Sequence, residues 1–406
     1  MLSKQTPNKI KALSRVTALV AILCLQLAGM RAYASGGGEE GKFKAGEMIV
    51  HHISDAHSVH FFGNVTLPLP CIVKTEKGFD FFMSSVFMDE HHEFTKTYTS
   101  ASTGNSYVLH HEKIYTVDAS HTEEVHEVEN HVVDSTVAPV DSLAAAQAAP
   151  VDAHGEEHEE FHGHAVSDFS ITKSVFGMLL MLTLVLFLFA RVAKAYEKRK
   201  GQAPKGMQNM LEPFVLFIKD EVAIPALGKK RAQKFLPFML TSFFFIWASN
   251  MLGLIPFLGG FNITGTLSIT LVLATFVFIL TTINGNAHYW GHIVWPPGVP
   301  VAIKFILVPI EFLSIFIKPA VLMIRLTANI NAGHIIILAF TSLIFIFGEK
   351  SVVAGYGVGV FSTLFIVFMF FIELLVAFLQ AYVFTLLAAL YFGDATQEHH
   401  HEEAHH

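Results

Sequence analysis

Cysteine is nearly absent from this chain: two in 406 residues, Cys24 and Cys71. Cys24 falls in a stretch patterned like an export signal, which leaves Cys71 alone and predicts no intrachain disulfide. Charge is scarce as well. Asp, Glu, Lys and Arg make 15% of the chain against 52% hydrophobic residues. With a mean hydropathy of +0.48, that balance excludes an ordinary soluble globule and describes a membrane protein with a polar appendage. A basic field is missing too. The 27 Lys and Arg are outnumbered by 34 Asp and Glu. They stand in short clusters beside apolar runs, where membrane orientation explains them and a nucleic-acid partner does not. Finally, there is no phosphate-cradling loop. Gly355, Gly357 and Gly359 lie in an apolar run with no strand before them, and read as small residues for close helix approach.

What is present divides along the chain. Residues 1–34 carry a positive start (Lys4, Lys9, Lys11, Arg15), a short apolar core at 16–27 and Ala32-Tyr33-Ala34. That is the pattern of a secretory signal peptide with a small-x-small cleavage site. Residue 22–23, Ile-Leu, precedes Cys24 without the small residue a lipidated cysteine prefers. Residues 35–118 hold β-like runs such as Cys71-Ile-Val-Lys-Thr and Tyr107-Val-Leu, broken by Gly63-Asn64, Gly78 and Gly104-Asn105. They predict a small external β-containing extension. Residues 119–168 are acidic and His-rich with little to bury, and read as a linker. His154, His158 and His162 would align if helical, but no cysteine accompanies them and the spacing of His51, His52, His91, His92, His110, His111 and His164 is irregular. A solvated surface is favoured over a metal site, and no metal or other cofactor is expected.

Residues 169–395 form the membrane domain, with a short cytoplasmic tail at 396–406. Spans are expected at about 172–190, 236–258, 263–283, 302–347 and 352–392. Arg191, Lys194, Lys198, Arg199, Lys200 and Lys205 follow the first span, whereas mostly acidic residues precede it. This asymmetry puts the extension outside and the basic side in the cytoplasm, as in a bacterial inner membrane. Between the first two spans, residues 207–234 read as an interfacial amphipathic helix and a basic loop. The last two stretches are too long for one upright crossing, yet neither has an internal polar turn. A long tilted helical hairpin, bent at Pro309 and Pro319, is the cheaper solution. The fold class is therefore an all-α polytopic membrane protein of five crossing helices with a small external β-containing extension.

The polar residues inside these apolar helices carry the functional information. Arg325 stands where nearly everything around it is Leu, Ile, Val, Phe or Ala. It cannot escape its burial cost, about 2.5–3.5 kcal/mol on insertion scales, by losing its proton. Glu311, Lys318 and Arg325 recur every seven residues and share a face, with Asn329 one turn on. Glu373 and Gln380 are likewise seven apart on the last helix, while His334 lies opposite Arg325 on its own. Interhelical glue is the plain alternative for such groups; a set this large points to a charge path.

Arg325-Leu-Thr-Ala-Asn329-Ile-Asn-Ala-Gly333-His334, with Glu373-Leu-Leu-Val-Ala-Phe-Leu-Gln380-Ala-Tyr, resembles subunit a of the F-type ATP synthases over roughly residues 170–395. The resemblance implies a non-catalytic stator subunit that conducts protons and drives rotation of a ring of c subunits, held with the b-subunit peripheral stalk in the lipid bilayer. It implies that Arg325 faces the ring, favours the ionised form of each passing carboxylate and stops protons leaking between two offset half-channels. Asn329 and Gln380 would flank it. His334 and Glu373 would serve the half-channel open to the outside; Glu311, and more weakly Lys318, would serve the inner one. Two departures stand out. His334 and Glu373 are exchanged relative to many bacterial members, in the mitochondrial arrangement, and the exported extension is not part of the family core. A free-standing channel or secondary transporter would predict inverted repeats or paired broken helices, which are not seen. A metal exporter would need more intramembrane ligands than His334.

Overall fold

The computed structural model describes residues 45–60, 65–89, 94–110, 112–117, 163–255 and 260–397. The expected signal peptide (residues 1–34), most of the expected linker, the tail from 398, and His91, His92, His111, His154, His158 and His162 lie outside these residues. The chain divides into two compact units, one of residues 68–171 and the other of residues 1–67 with 172–406.

In the second of these units the extension opens with a helix, α1 (Ala45–Ile53), followed by β1 (Ser58–His60) and β2 (Thr66–Pro68). The unit of residues 68–171 is a β module. Its strands are β3 (Pro70–Thr75), β4 (Gly78–Met83), β5 (Tyr98–Thr99), β6 (Ser106–His110), β7 (Lys113–Val117), β8 (His164–Ala165) and β9 (Ser167–Asp168). They form two antiparallel sheets, ordered β4-β3-β9 and β5-β6-β7-β8. The turn joining β3 to β4 is closed by Gly78 at φ 134°, a conformation open to glycine. Alternate residues of β3 point inward, so Cys71 and Val73 join Phe87, Tyr107 and Ile114 in one core. β7 was not among the expected strands. The final residues of the stretch expected as linker, β8 and β9, are strands as well, paired to β7 and β3.

The same alternation inverts the expected polarity of β4. Phe79 and Phe81 point outward, and Asp80 is 1% exposed. Burial alone would raise its carboxyl. Ser100, Ser102, Thr103 and Tyr107 all donate hydroxyl hydrogen bonds to it and hold it near 2 instead. The loop 100–105 is thereby wrapped around a buried charge. Cys71 has no such donors in number, and burial pushes its thiol up to about 12.

The other unit is helical. Its elements are α2 (Lys173–Lys198), α3 (Met207–Phe217), a wide π-type turn at Ile218–Ala223, α4 (Ile224–Gly253), α5 (Leu267–Ile283), α6 (Ala287–Val294), α7 (Val301–Lys350) and α8 (Val352–Thr396). Among the described residues, four helices are long and apolar enough to cross a membrane. A fifth crossing results if α5 and α6, bent by 100° at a short break, count as one. α5 begins at Leu267 rather than 263, because residues 261–264 form a buried loop instead of a helical turn.

α7 and α8 are single helices, as the absence of internal polar turns predicts. At about 1.5 Å per residue, the 50 residues of α7 run about 75 Å, more than twice a bilayer core of about 30 Å. Ser351, in extended conformation, reverses the chain between them. A Cβ on Gly355 would lie 2.7 Å from the Gly348 Cα, so close helix approach requires this glycine. Gly357 has open space and Gly359 only ordinary contact, so the expected role holds for one of three.

The expected basic loop at 229–234 is instead helix. Gly228, at φ 74°, makes the break, and Lys229 onward continues α4. The cations then sit beside helix C-termini. Arg231 donates to the Thr396 carbonyl at the end of α8, and Lys234 to Asn284 Oδ1 at the end of α5, 2.6 Å away. Arg231 thereby satisfies a carbonyl at the negative end of a helix dipole. Phe243, Trp247, Phe214 and Phe378 pack α3, α4 and α8 together through tilted and edge contacts.

Candidate functional site

Two polar clusters and one isolated cation lie in the α7–α8 hairpin. In the first, His334 Nδ1 stands 3.3 Å from Glu373 Oε1. The His334 side chain is 18% exposed and that of Glu373 5%. Neither carboxylate oxygen of Glu373 accepts a hydrogen bond from the described residues. A carboxylate this dry, with one imidazole beside it, is expensive, and such cost is typical of sites that move protons. The pair meets because Gly333 admits it. A Cβ on Gly333 would fall 2.9 Å from Glu373 Oε1, and one on Gly253 would fall 3.7 Å from His334 Nε2.

A belt of amides and hydroxyls fixes the helices around this pair. Asn262 Nδ2 donates to Asn331 Oδ1 (2.6 Å), and Asn331 Nδ2 to the Gly265 carbonyl (3.1 Å). Thr270 and Thr327 share a hydroxyl bond of 2.7 Å. Thr264 donates to Asn250 Oδ1, and Asn250 Nδ2 donates to the Ala377 carbonyl (3.1 Å), one turn beyond Glu373. Sequence reasoning missed the belt. Asn331 and Thr327 lie on the helix face away from Arg325, which was a usable signal; Asn262 and Thr264 sit in a turn and gave none.

The second cluster lies further toward the end of α8. Lys318 Nζ is 3.6 Å from Asp394 Oδ2 and 5.5 Å from the centre of the Tyr391 ring. Lys318 and Tyr391 line a cavity with Thr281, Thr282 and Tyr289. Tyr289 is within electrostatic reach of both Glu311 and Asp394. Asp394, Tyr391 and Tyr289 were not anticipated. Asp394 was legible in principle, since it continues the seven-residue spacing of Glu373 and Gln380 after one apolar step at Leu387.

Arg325 belongs to neither cluster. It is exposed on α7 among the apolar side chains of Val321 and Ile324, with Asn329 exposed one turn on. The described residues offer it no ion pair. Gln380, by contrast, is buried on α8 like Glu373. The seven-residue stripe of Glu311, Lys318 and Arg325 thus divides, with Lys318 salt-bridged and Arg325 presented outward.

The fold and these groups define a multi-pass membrane protein with a buried acid–imidazole pair and an uncompensated cation on an apolar face. The sequence model of a family described as ATP synthase A chain matches residues 175–393, and one of a domain of unknown function matches residues 48–141. The ATP synthase subunit a of Chloroherpeton thalassium is 40% identical over 245 residues, covering 59% of this chain and 70% of its own length. ATP synthase subunit a 2 of Chlorobaculum tepidum is 43% identical over 258 residues (62% and 69%). ATP synthase subunit a 2 of Prosthecochloris aestuarii is 36% identical over 303 residues (72% and 87%). The chain belongs to the ATP synthase A chain family.

Proposed function

We propose that this chain is the proton-translocating stator subunit of an F-type ATP synthase, working between a c-subunit ring and the b-subunit stalk. It carries no catalytic site of its own. Proton flow past it turns the ring, and the nucleotide chemistry occurs on other subunits. The observation that carries the assignment of roles is Arg325: a permanent cation held on an apolar face without a carboxylate partner among the described residues. Such a charge is stable there only if a partner supplies the anion. Ring carboxylates arriving in turn would do so, each losing its proton as it meets the guanidinium, with Asn329 beside it.

His334 and Glu373 would relay protons in the half-channel open to the outside, with Gln380 on the same helix face. Glu311 and Lys318, joined by Asp394, would border the inner half-channel. Their end of α8 lies next to Thr396, whose carbonyl accepts from Arg231 in the basic run. Basic runs mark the cytoplasmic side, which supports this division and an orientation with the extension outside a bacterial inner membrane, after removal of residues 1–34. The test is Arg325→Ala in the assembled synthase. ATP-driven proton pumping into inverted vesicles is expected to vanish while the complex still purifies with its ring. Pumping at the parent rate would refute the central role.

A further inference from the structure

The extension is not confined to the β module. Its first described segment belongs to the helical unit, where α1 packs against α7. Residues 55 and 56 are then bonded to the start of α2 at three points. Asp55 Oδ2 accepts from Thr172 Oγ1 (2.7 Å), Asp55 Oδ1 accepts from the Ser174 backbone N–H (2.8 Å), and the Lys173 N–H donates to the Ala56 carbonyl (2.8 Å). Thr172 occupies the N-cap of α2 but makes no capping bond itself. Asp55, more than a hundred residues earlier, supplies the cap and places its charge at the positive end of the helix dipole.

From this anchor, polar groups lead inward as far as Asn331. Ser174 Oγ bonds Thr266 Oγ1 (2.8 Å), and Thr266 Oγ1 also reaches the Asn262 carbonyl (3.0 Å). Asn262 donates to Asn331, three residues from His334. A cleft with room for about one water lies where these elements meet, lined by Ile53, Gly260, Asn262 and His334. Ile53 is the last residue of α1, so the exported extension faces the imidazole across this cleft.

We propose that residues 53–57, pinned by Asp55, form the outer wall of the passage by which protons reach the His334–Glu373 pair. Asp55 is a positioning residue: it holds the wall through the α2 cap and touches no translocated proton. This rests on assigning that pair to the external half-channel. The wall makes the extension part of the conduction path.

The experiment uses the whole synthase with Cys71 replaced by Ser and a single new thiol, Ile53→Cys. A bulky, positively charged, membrane-impermeant methanethiosulfonate is added from the extension side, and passive proton conduction is measured. Conduction is expected to fall several-fold and to return when dithiothreitol removes the adduct, which excludes misfolding. Val50→Cys, exposed on the same helix, is expected to be labelled with no loss. Full labelling at residue 53 with unchanged conduction, or no labelling there, would overturn the proposal. His334→Ala separates the two levels. If it conducts normally, the half-channel assignment falls and takes the wall with it. If it is blocked while labelled Ile53→Cys conducts, only the wall is lost.

Discussion

Gly333→Ala separates the stability of this protein from its conduction. The new Cβ would stand 2.9 Å from Glu373 Oε1 and 3.2 Å from its Cδ, inside ordinary contact distance. Backbone on both helices is held by the amide belt, so the carboxylate yields, by about half an ångström. The contact it can least spare is the 3.3 Å approach to His334 Nδ1. Overpacking of this kind costs about 1–3 kcal/mol, whereas replacing glycine inside a helix returns about 1 kcal/mol. Global stability and yield of the complex should therefore change little. If the same displacement enters the proton-transfer barrier, at about 1.4 kcal/mol per factor of ten, the rate falls about five- to a hundredfold. The assay is ATP-driven acidification of inverted vesicles, normalised to assembled complex. Adding Glu373→Asp, which shortens the crowded side chain, is expected to restore part of the rate. Parent-level pumping by Gly333→Ala with normal assembly would refute the claim that this contact matters.

Two other substitutions probe the frame. In Gly253→Ala the Cβ would meet the Phe261 carbonyl oxygen at 2.8 Å, and backbone cannot swing aside. Thermal stability in detergent should drop by about 1–3 kcal/mol, and an unchanged melting midpoint would contradict the packing. In the β module, the Asp80 carboxyl sits below its ordinary value, near 2. Its contribution, about 2 kcal/mol, is therefore fully present above about pH 4 and lost as pH falls toward 2. Asp80→Asn should remove it at neutral pH and raise the alkylation rate of buried Cys71 about thirtyfold, if labelling follows local opening. Equal labelling rates in parent and variant would show that the hydroxyl cradle contributes nothing.

Much of the membrane architecture could be read from the chain because a bilayer imposes a one-dimensional rule. Apolar length sets spans, and the missing polar turn in 302–347 and 352–392 predicts a hairpin of two long helices. Arg325 was conspicuous for the same reason: a permanent charge in an apolar run carries a high insertion cost. Heptad spacing also placed Glu311, Lys318 and Arg325 on one stripe and set His334 opposite. The seven-residue rule went no further than the helix it was read on. It could not tell that Lys318 would find Asp394, or that Arg325 would pair with no carboxylate among the described residues.

Those outcomes depend on which residues of distant segments arrive at the same depth, and no local pattern encodes that. The His334–Glu373 contact needs Gly333 to admit it. Asp80 faces inward although phenylalanines surround it in sequence, because its strand partner β3 fixes the register and loop 100–105 brings the donors. The Asp55 cap of α2 is the extreme case. Its residue types are ordinary for a turn, and only the folded chain brings them to a helix that starts more than a hundred residues later. Sequence determined by itself what must leave water and in what order, since transfer free energy is a property of each segment. Tertiary structure decided which polar groups meet inside, since pairing energy exists only between groups brought within a few ångströms.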